Sequence, residues 1–392
     1  MTLSLDAKLS GIASQKPYPR FSDEEMQRRR SALIGLMQKM QVDHLVVAGE
    51  QRVGSGVSWI TGWPATTEAL VIVSPHEKNL MFMEWYNHSP LARRIAQNTD
   101  VKWGEHAGID KVIAELQRRG AKRVGFIGPL AYRKCKKLEG AFEALVEMNR
   151  DYVELRLIKS AEEIDWLRIG AAYSDAAIDA LRRELRPGLT ERDLWDITEH
   201  AYLPHGGTTQ IHYFGVTSMA NPDCCVPRQF PENRTIAAGD VVFCEISGSL
   251  WDYAGQVLRT FTVGADPTPL YRDLYATAEA AFDAIAAVLR AGTTTDRIIE
   301  VSGVIEKAGF TTCDDLMHGY GGGYLPPVLG SQSRPAGKVP DMTLKAGMCV
   351  VIQPNPITKD QKAGVQVGEL VHITDRGFER LHKAPRALFR VG

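Results

Sequence analysis

Apolar positions recur at helical spacing through the charged stretch from Asp23 to Gln41, and the chain then enters DHLVVAG, whose length and apolar content suit a buried strand. ALVIVSP, from Ala69, repeats the strand signal, and IAELQRRGAKRVGFIG couples a helical period to a further strand. Helices alternating with short apolar strands predict an α/β domain. Near Leu157 the pattern changes. In IKSAEEIDWLRIGAAYSDAAIDALRREL, Ser160 and Glu163 stand at capping-box spacing and apolar residues follow at i, i+3 and i+4. A long helix is predicted there, with the domain boundary just before it, giving domains of 1–156 and 157–392.

The second domain reads as helix in PGLTERDLWDITEHAYL and again from Pro269 to Arg290, with β-rich runs in GDVVFCEISG, QVLRTFTVG, GMCVVIQPNP and GVQVGELVHIT. Strands in hairpin-like succession between separate helices indicate α+β. A length of 392 residues suits two such domains.

Charge adds an exclusion. Lys+Arg number 46 against 47 Asp+Glu, so no electrostatic excess is present to hold nucleic acid or an anionic membrane. No apolar run approaches a membrane span and the N-terminus lacks a signal-peptide core, so a soluble cytoplasmic protein is expected. The six cysteines are irregularly spaced, without a C-x-x-C pair, and are read as free thiols.

The segments IKSAEEIDWLR, AAGDVVFCEISGSLWDYAGQVLRTFTVG, HGYGGGYLPP, GMCVVIQPNP and GVQVGELVHIT, in this order, resemble the pita-bread fold of methionine aminopeptidase, proline-specific aminopeptidase, prolidase, creatinase and ectoine hydrolase. The resemblance covers nearly the whole chain. It implies a pita-bread C-terminal domain preceded by a smaller α/β creatinase-type domain, and a homodimer. In the family's metallopeptidases two Asp, one His and two Glu hold two metal ions. Carried over position by position, these fall on Glu245, Gln256, Gly322, Gln353 and Gly368, with Glu369 one residue out of register. Hard divalent cations need several anionic or imidazole ligands, so no metal and no other cofactor is expected. Ectoine hydrolase has a Phe-Glu-Ile similar to the Phe-Cys-Glu-Ile around Glu245 and a similar tyrosine-containing loop, here around Tyr320, so the resemblance is to that subgroup in particular.

Glu245, an acid among the apolar residues of VVFCEIS, is the expected base or nucleophile, with Glu369 in reserve. His318, four residues before the missing metal His, is expected to donate a proton or polarise a carbonyl. Gln256 and Gln353 keep much of the shape of acids without the charge and could steady an oxyanion. Arg228 stands where the family has a proton-transferring His; a guanidinium cannot be a base, so it would bind a substrate carboxylate or hold Glu245 ionised. Tyr320, His212, Tyr213 and Asn221 are further candidates for the substrate-binding wall. Trp59, Trp63 and Arg52 lie where creatinase-type dimers send a loop over the partner's site.

These readings predict a metal-independent hydrolase of a non-peptide C–N bond in a small, carboxylated nitrogen compound. A metal-dependent Xaa-Pro peptidase or dimethylsulfoniopropionate lyase-like enzyme of the same fold is the alternative, and a non-catalytic pita-bread binding module is the third.

Overall fold

The computed structural model describes residues 4–50 and 55–392. The chain divides into two compact units, one of Gln15–Arg156 and one of Leu157–Gly392, which also takes in residues 4–14.

The first unit is a six-stranded sheet of β1 (His44–Gly49), β2 (Ala69–Ser74), β3 (Glu77–Met83), β4 (Thr99–Trp103), β5 (Arg123–Ile127) and β6 (Ala144–Glu147), in the order β4-β3-β2-β1-β5-β6. Pairing is mixed: β1 runs antiparallel to β2 and parallel to β5. Both faces are covered. Leu45 and Val47 of β1 enter one apolar cluster with Leu33, Leu36 and Met37 of the helix Asp23–Lys39. Val46 and Ala48, pointing the other way, meet Ile109, Val112 and Leu116 of the helix Gly108–Arg118. Strands buried on both faces need apolar side chains at every position, which is why they read as unbroken runs. Ser22 caps the first of these helices by accepting from the Glu25 N–H.

In the second unit β7 (Thr208–Ser218), β8 (Asp240–Leu250) and β9 (Tyr253–Val263) form a long antiparallel ribbon. The pairs β10 (Thr311–Thr312) with β14 (Pro356–Ile357) stand apart. β11 (Met317–Tyr320), β12 (Tyr324–Leu329), β13 (Cys349–Ile352), β15 (Gly368–Ile373), β16 (Phe378–Arg380) and β17 (Phe389–Val391) complete a nine-stranded sheet, whose main path is β12-β11-β13-β15-β9-β8-β7.

The helix Ala161–Glu184 begins at the predicted capping box of Ser160 and Glu163. It lies hard against the ribbon: a Cβ on Gly255 would meet the Ala171 backbone at 2.2 Å, and one on Gly170 the Tyr253 carbonyl at 2.5 Å. Ser174 secures the contact, accepting from the Gly248 N–H at 2.8 Å and donating to the Gly255 carbonyl. Since Gly248 and Gly255 pair directly, this helix covers the face opposite to that of their neighbours Ser247 and Gln256. Among the described residues no helix is long and apolar enough to cross a membrane.

Candidate functional site

Strand register gathers most of the candidate residues on the face that the long helix leaves free. Tyr213 stands opposite Glu245, Ser247 opposite Gln256, and Gly368 opposite Leu258, itself the partner of Glu245. His318 pairs with Val351, which pairs with Leu370, two residues from Gly368, so His318 shares this face. Side chains then meet across the strands. Gln256 donates from Nε2 to Glu245 Oε1 at 2.6 Å and to Gln353 Oε1 at 3.2 Å. The Tyr320 hydroxyl donates to Ser247 Oγ at 3.5 Å. Tyr324 stacks on the His318 ring at 3.8 Å between centroids, and Tyr320 meets that ring edge-on at 5.4 Å.

The electrostatics separate the two titratable groups in the middle. Burial, reinforced by the charges of Asp314 and Asp315, pushes Glu245 up to about 8. A shift in this direction favours the protonated carboxylic acid near neutral pH. Burial pushes His318 down to about 4, against weaker opposing contributions from the Gly319 carbonyl and Gln353. His318 Nδ1 lies 3.1 Å from the Gly319 carbonyl, which can only accept. The proton of the neutral ring thus sits on Nδ1, and Nε2 carries a lone pair. Nε2 is buried with the Gln353 side chain as its nearest polar neighbour and makes no well-formed hydrogen bond among the described residues; Gln256 Oε1 is likewise buried without one.

Several expected residues are placed elsewhere. Glu369 lies on the opposite face, fully buried, where Arg259 Nη2 donates to its Oε2 at 2.9 Å and Arg380 Nη2 to the same oxygen at 2.9 Å. Burial alone would raise its pKa, but the Arg380 hydrogen bonds and the Arg259 charge outweigh it and hold the carboxyl below its ordinary value. It is a structural anion. Arg228 is engaged by Glu191 at 3.0 Å and Glu232 at 2.9 Å, so it neither keeps Glu245 ionised nor offers a free cation to a substrate carboxylate.

His212 also points away from Glu245, bonded to the Tyr202 hydroxyl and packed edge-on against Trp195. Asn221 is exposed on the bend after β7. Trp59 and Trp63 are core residues of the first unit, 4% and 5% exposed, with Trp59 edge-on to Tyr152 at 5.6 Å. Arg52 lies outside the described residues.

Three contributors were missed by sequence reasoning. Asp314 and Asp315 precede β11, and Tyr324 opens β12. The only signal was the adjacent acid pair in CDDLMHGYGGGY, and nothing local ties it to Glu245.

The family's pair of metal ions does not fit this face. Of the five matched positions only Glu245 carries a carboxyl group. At Gly368 a Cβ would lie 2.5 Å from the Ile352 carbonyl, so the backbone leaves no room for the acid. Gly322 has φ +64°, a conformation unfavourable to the histidine the family carries there. Among the described residues no three His, Cys, Asp or Glu side chains are arranged to hold a metal.

Comparison with known proteins supplies the lineage. The chain is 26% identical to an uncharacterised hydrolase/peptidase of Sinorhizobium fredii, over 94% of this chain and 97% of that one. It is 23% identical to the Xaa-Pro dipeptidase of Pyrococcus furiosus over 93% and 100% of the two chains. The solved Xaa-Pro dipeptidase from Bacillus anthracis superposes with a TM-score of 0.78 at 21% identity, covering 93% of this chain and all of that one.

These likenesses show the pita-bread fold with its mixed α/β first domain. The peptidase names overturn the expectation of a metal-independent hydrolase acting on a non-peptide C–N bond, and they leave the likeness to creatinase and ectoine hydrolase at the level of the family. Residues 165–375 match the metallopeptidase family M24, more than half of the chain, and the protein belongs to that family.

Proposed function

We propose that the Glu245 face binds a small peptide of the Xaa-Pro type and hydrolyses its amide bond. The substrate class is supported by the full-length likeness to Xaa-Pro dipeptidases. The observation that carries the chemistry is an acid and a base on one face of the sheet with their pKa values pushed apart, to about 8 for Glu245 and about 4 for His318. At neutral pH His318 Nε2 takes a proton from water as the oxygen attacks the carbonyl carbon. Glu245 gives its proton to the amide nitrogen as the C–N bond breaks. The resulting imidazolium and carboxylate return to their starting states by proton exchange with solvent, so the cycle balances. Gln256 holds the Glu245 carboxyl in place and is itself anchored by Gln353.

The test is release of free proline from a panel of Xaa-Pro dipeptides, measured by mass spectrometry, with Xaa-Ala dipeptides as controls. Cleavage of Xaa-Pro members is expected, and a panel left intact overturns the reading. Binding without turnover is the second reading, and the glutamines and glycines at the matched positions favour it. Calorimetric binding of an Xaa-Pro dipeptide that is never cleaved would establish it in place of the first.

A further inference from the structure

A cavity of about 450 Å³ lies wholly within the second unit and shares no lining residue with the Glu245 face. One wall is a stripe of the helix Ala161–Glu184, where Arg168, Ala172, Ala176, Asp179 and Arg182 follow one another at spacings of three or four residues. Residues 4–9 and 379–385 supply the other walls. Ala172 and Ala176 leave the hollow by being small, and Leu9, Leu381, Ala384 and Pro385 give it an apolar lining. Its size is that of a pocket for a small organic ligand.

Cations and acids both border the cavity, but only the acids are satisfied within the protein. Asp6 caps its own helix at the Leu9 N–H, and Asp175 accepts from the Lys383 N–H at 2.6 Å and lies 2.8 Å from His382 Nδ1. Asp179 pairs with Arg183 at 2.9 Å, and Glu379 with Arg168 at 2.8 Å. Arg182, by contrast, stacks over the Phe389 ring at 4.7 Å, and Lys383 Nζ donates to the Ser4 carbonyl at 3.1 Å and to Ser4 Oγ at 3.4 Å; neither forms an ion pair among the described residues. Arg380 shares the one carboxylate of Glu369 with Arg259, and its side chain is 44% exposed. These three groups are donors with no acceptor of their own, so the charge left over at the cavity is positive. A small hydrated anion would gain nothing from the apolar lining, and a neutral apolar molecule nothing from the cations.

We propose that this cavity binds an amphipathic monoanion: a carboxylate that meets Arg182, Lys383 and Arg380, carried on an apolar chain that covers Ala172 and Ala176. The site is separate from the Glu245 face and does not depend on what that face binds or cleaves.

Calorimetric titration of the full chain at pH 7 tests this, with octanoate as the probe, octanol and octylamine as controls for its charge, and butyrate as the control for its apolar chain. Octanoate is expected to bind at least about tenfold more tightly than each of the three. Arg182→Met combined with Lys383→Met keeps the apolar stems and removes the charges, and should cut the margin over octanol to about threefold or less. Ala176→Phe fills the hollow and should weaken octanoate at least about tenfold; Ala172→Leu is the second filling variant, used if the first changes the circular dichroism. The proposal is overturned if octanoate does not bind, if it binds no better than octanol, octylamine or butyrate, if its margin over octanol survives the loss of both charges, or if filling the hollow leaves its affinity unchanged.

Discussion

A carboxyl held at about 8 and an imidazole held at about 4 write opposite slopes into the stability of the fold. Glu245 is raised from an ordinary 4.5, so the folded chain binds more protons than the unfolded one above that value. Its contribution is complete at low pH and is lost as pH rises through about 8. His318 is lowered from 6.5, so its contribution is complete above that value and is lost as pH falls through about 4. Between 4.5 and 6.5 the two slopes oppose each other; between 6.5 and 8 only Glu245 acts. Urea midpoints should therefore fall from pH 6.5 to pH 8 in the wild type. In Glu245→Gln that fall should largely vanish, and an equal fall in both chains would refute the raised pKa. The sequence showed Glu245 as an acid in an apolar strand, which marked it correctly as unusual. Its protonation state was not legible, because Asp314 and Asp315 reach it only through tertiary contact.

Strand alternation decides what Glu369 does. One residue past the family's acid position, it faces the other side of the sheet, and its pairing with Ile352 and Val257 shows no bulge to turn it back. The period-two rule was legible in the sequence; the two arginines waiting on that side were not, since Arg259 sits on β9 and Arg380 on β16. Removing one partner of such a buried cluster leaves uncompensated charge. Glu369→Ala is expected to cost about 3–5 kcal/mol of stability in denaturant titration. A loss below about 1 kcal/mol, the range of an exposed pair, would show that the cluster is not buried as described. Arg228 teaches the same lesson. The buried Glu191 that engages it lies 37 residues away in sequence, beyond the reach of any local pattern.

At the scale of the molecule, the α/β and α+β patterns were legible because each unit obeys one packing rule. In the first, strands covered on both faces read as continuous apolar runs; in the second, a sheet face left partly polar interrupts them. The expected homodimer is carried forward as a proposal. Sedimentation at micromolar concentration should give about twice the 43.3 kDa chain mass, and a monomer would count against it. The burial of Trp59 and Trp63 shows why an aromatic pair in a loop-like stretch was a poor guide to substrate contact: both rings serve the core of their own unit.

Glu245 as the proton donor of an amide-cleaving site is tested most directly by turnover of a cleaved Xaa-Pro dipeptide by Glu245→Gln. The amide keeps the volume and the hydrogen bonding to Gln256 but has no proton to give. With the fold intact by circular dichroism, kcat should fall by about two to four orders of magnitude, and the alkaline limb of the wild-type profile near pH 8 should disappear from the residual activity. Near-normal turnover by the variant, with the alkaline limb retained, would contradict the account.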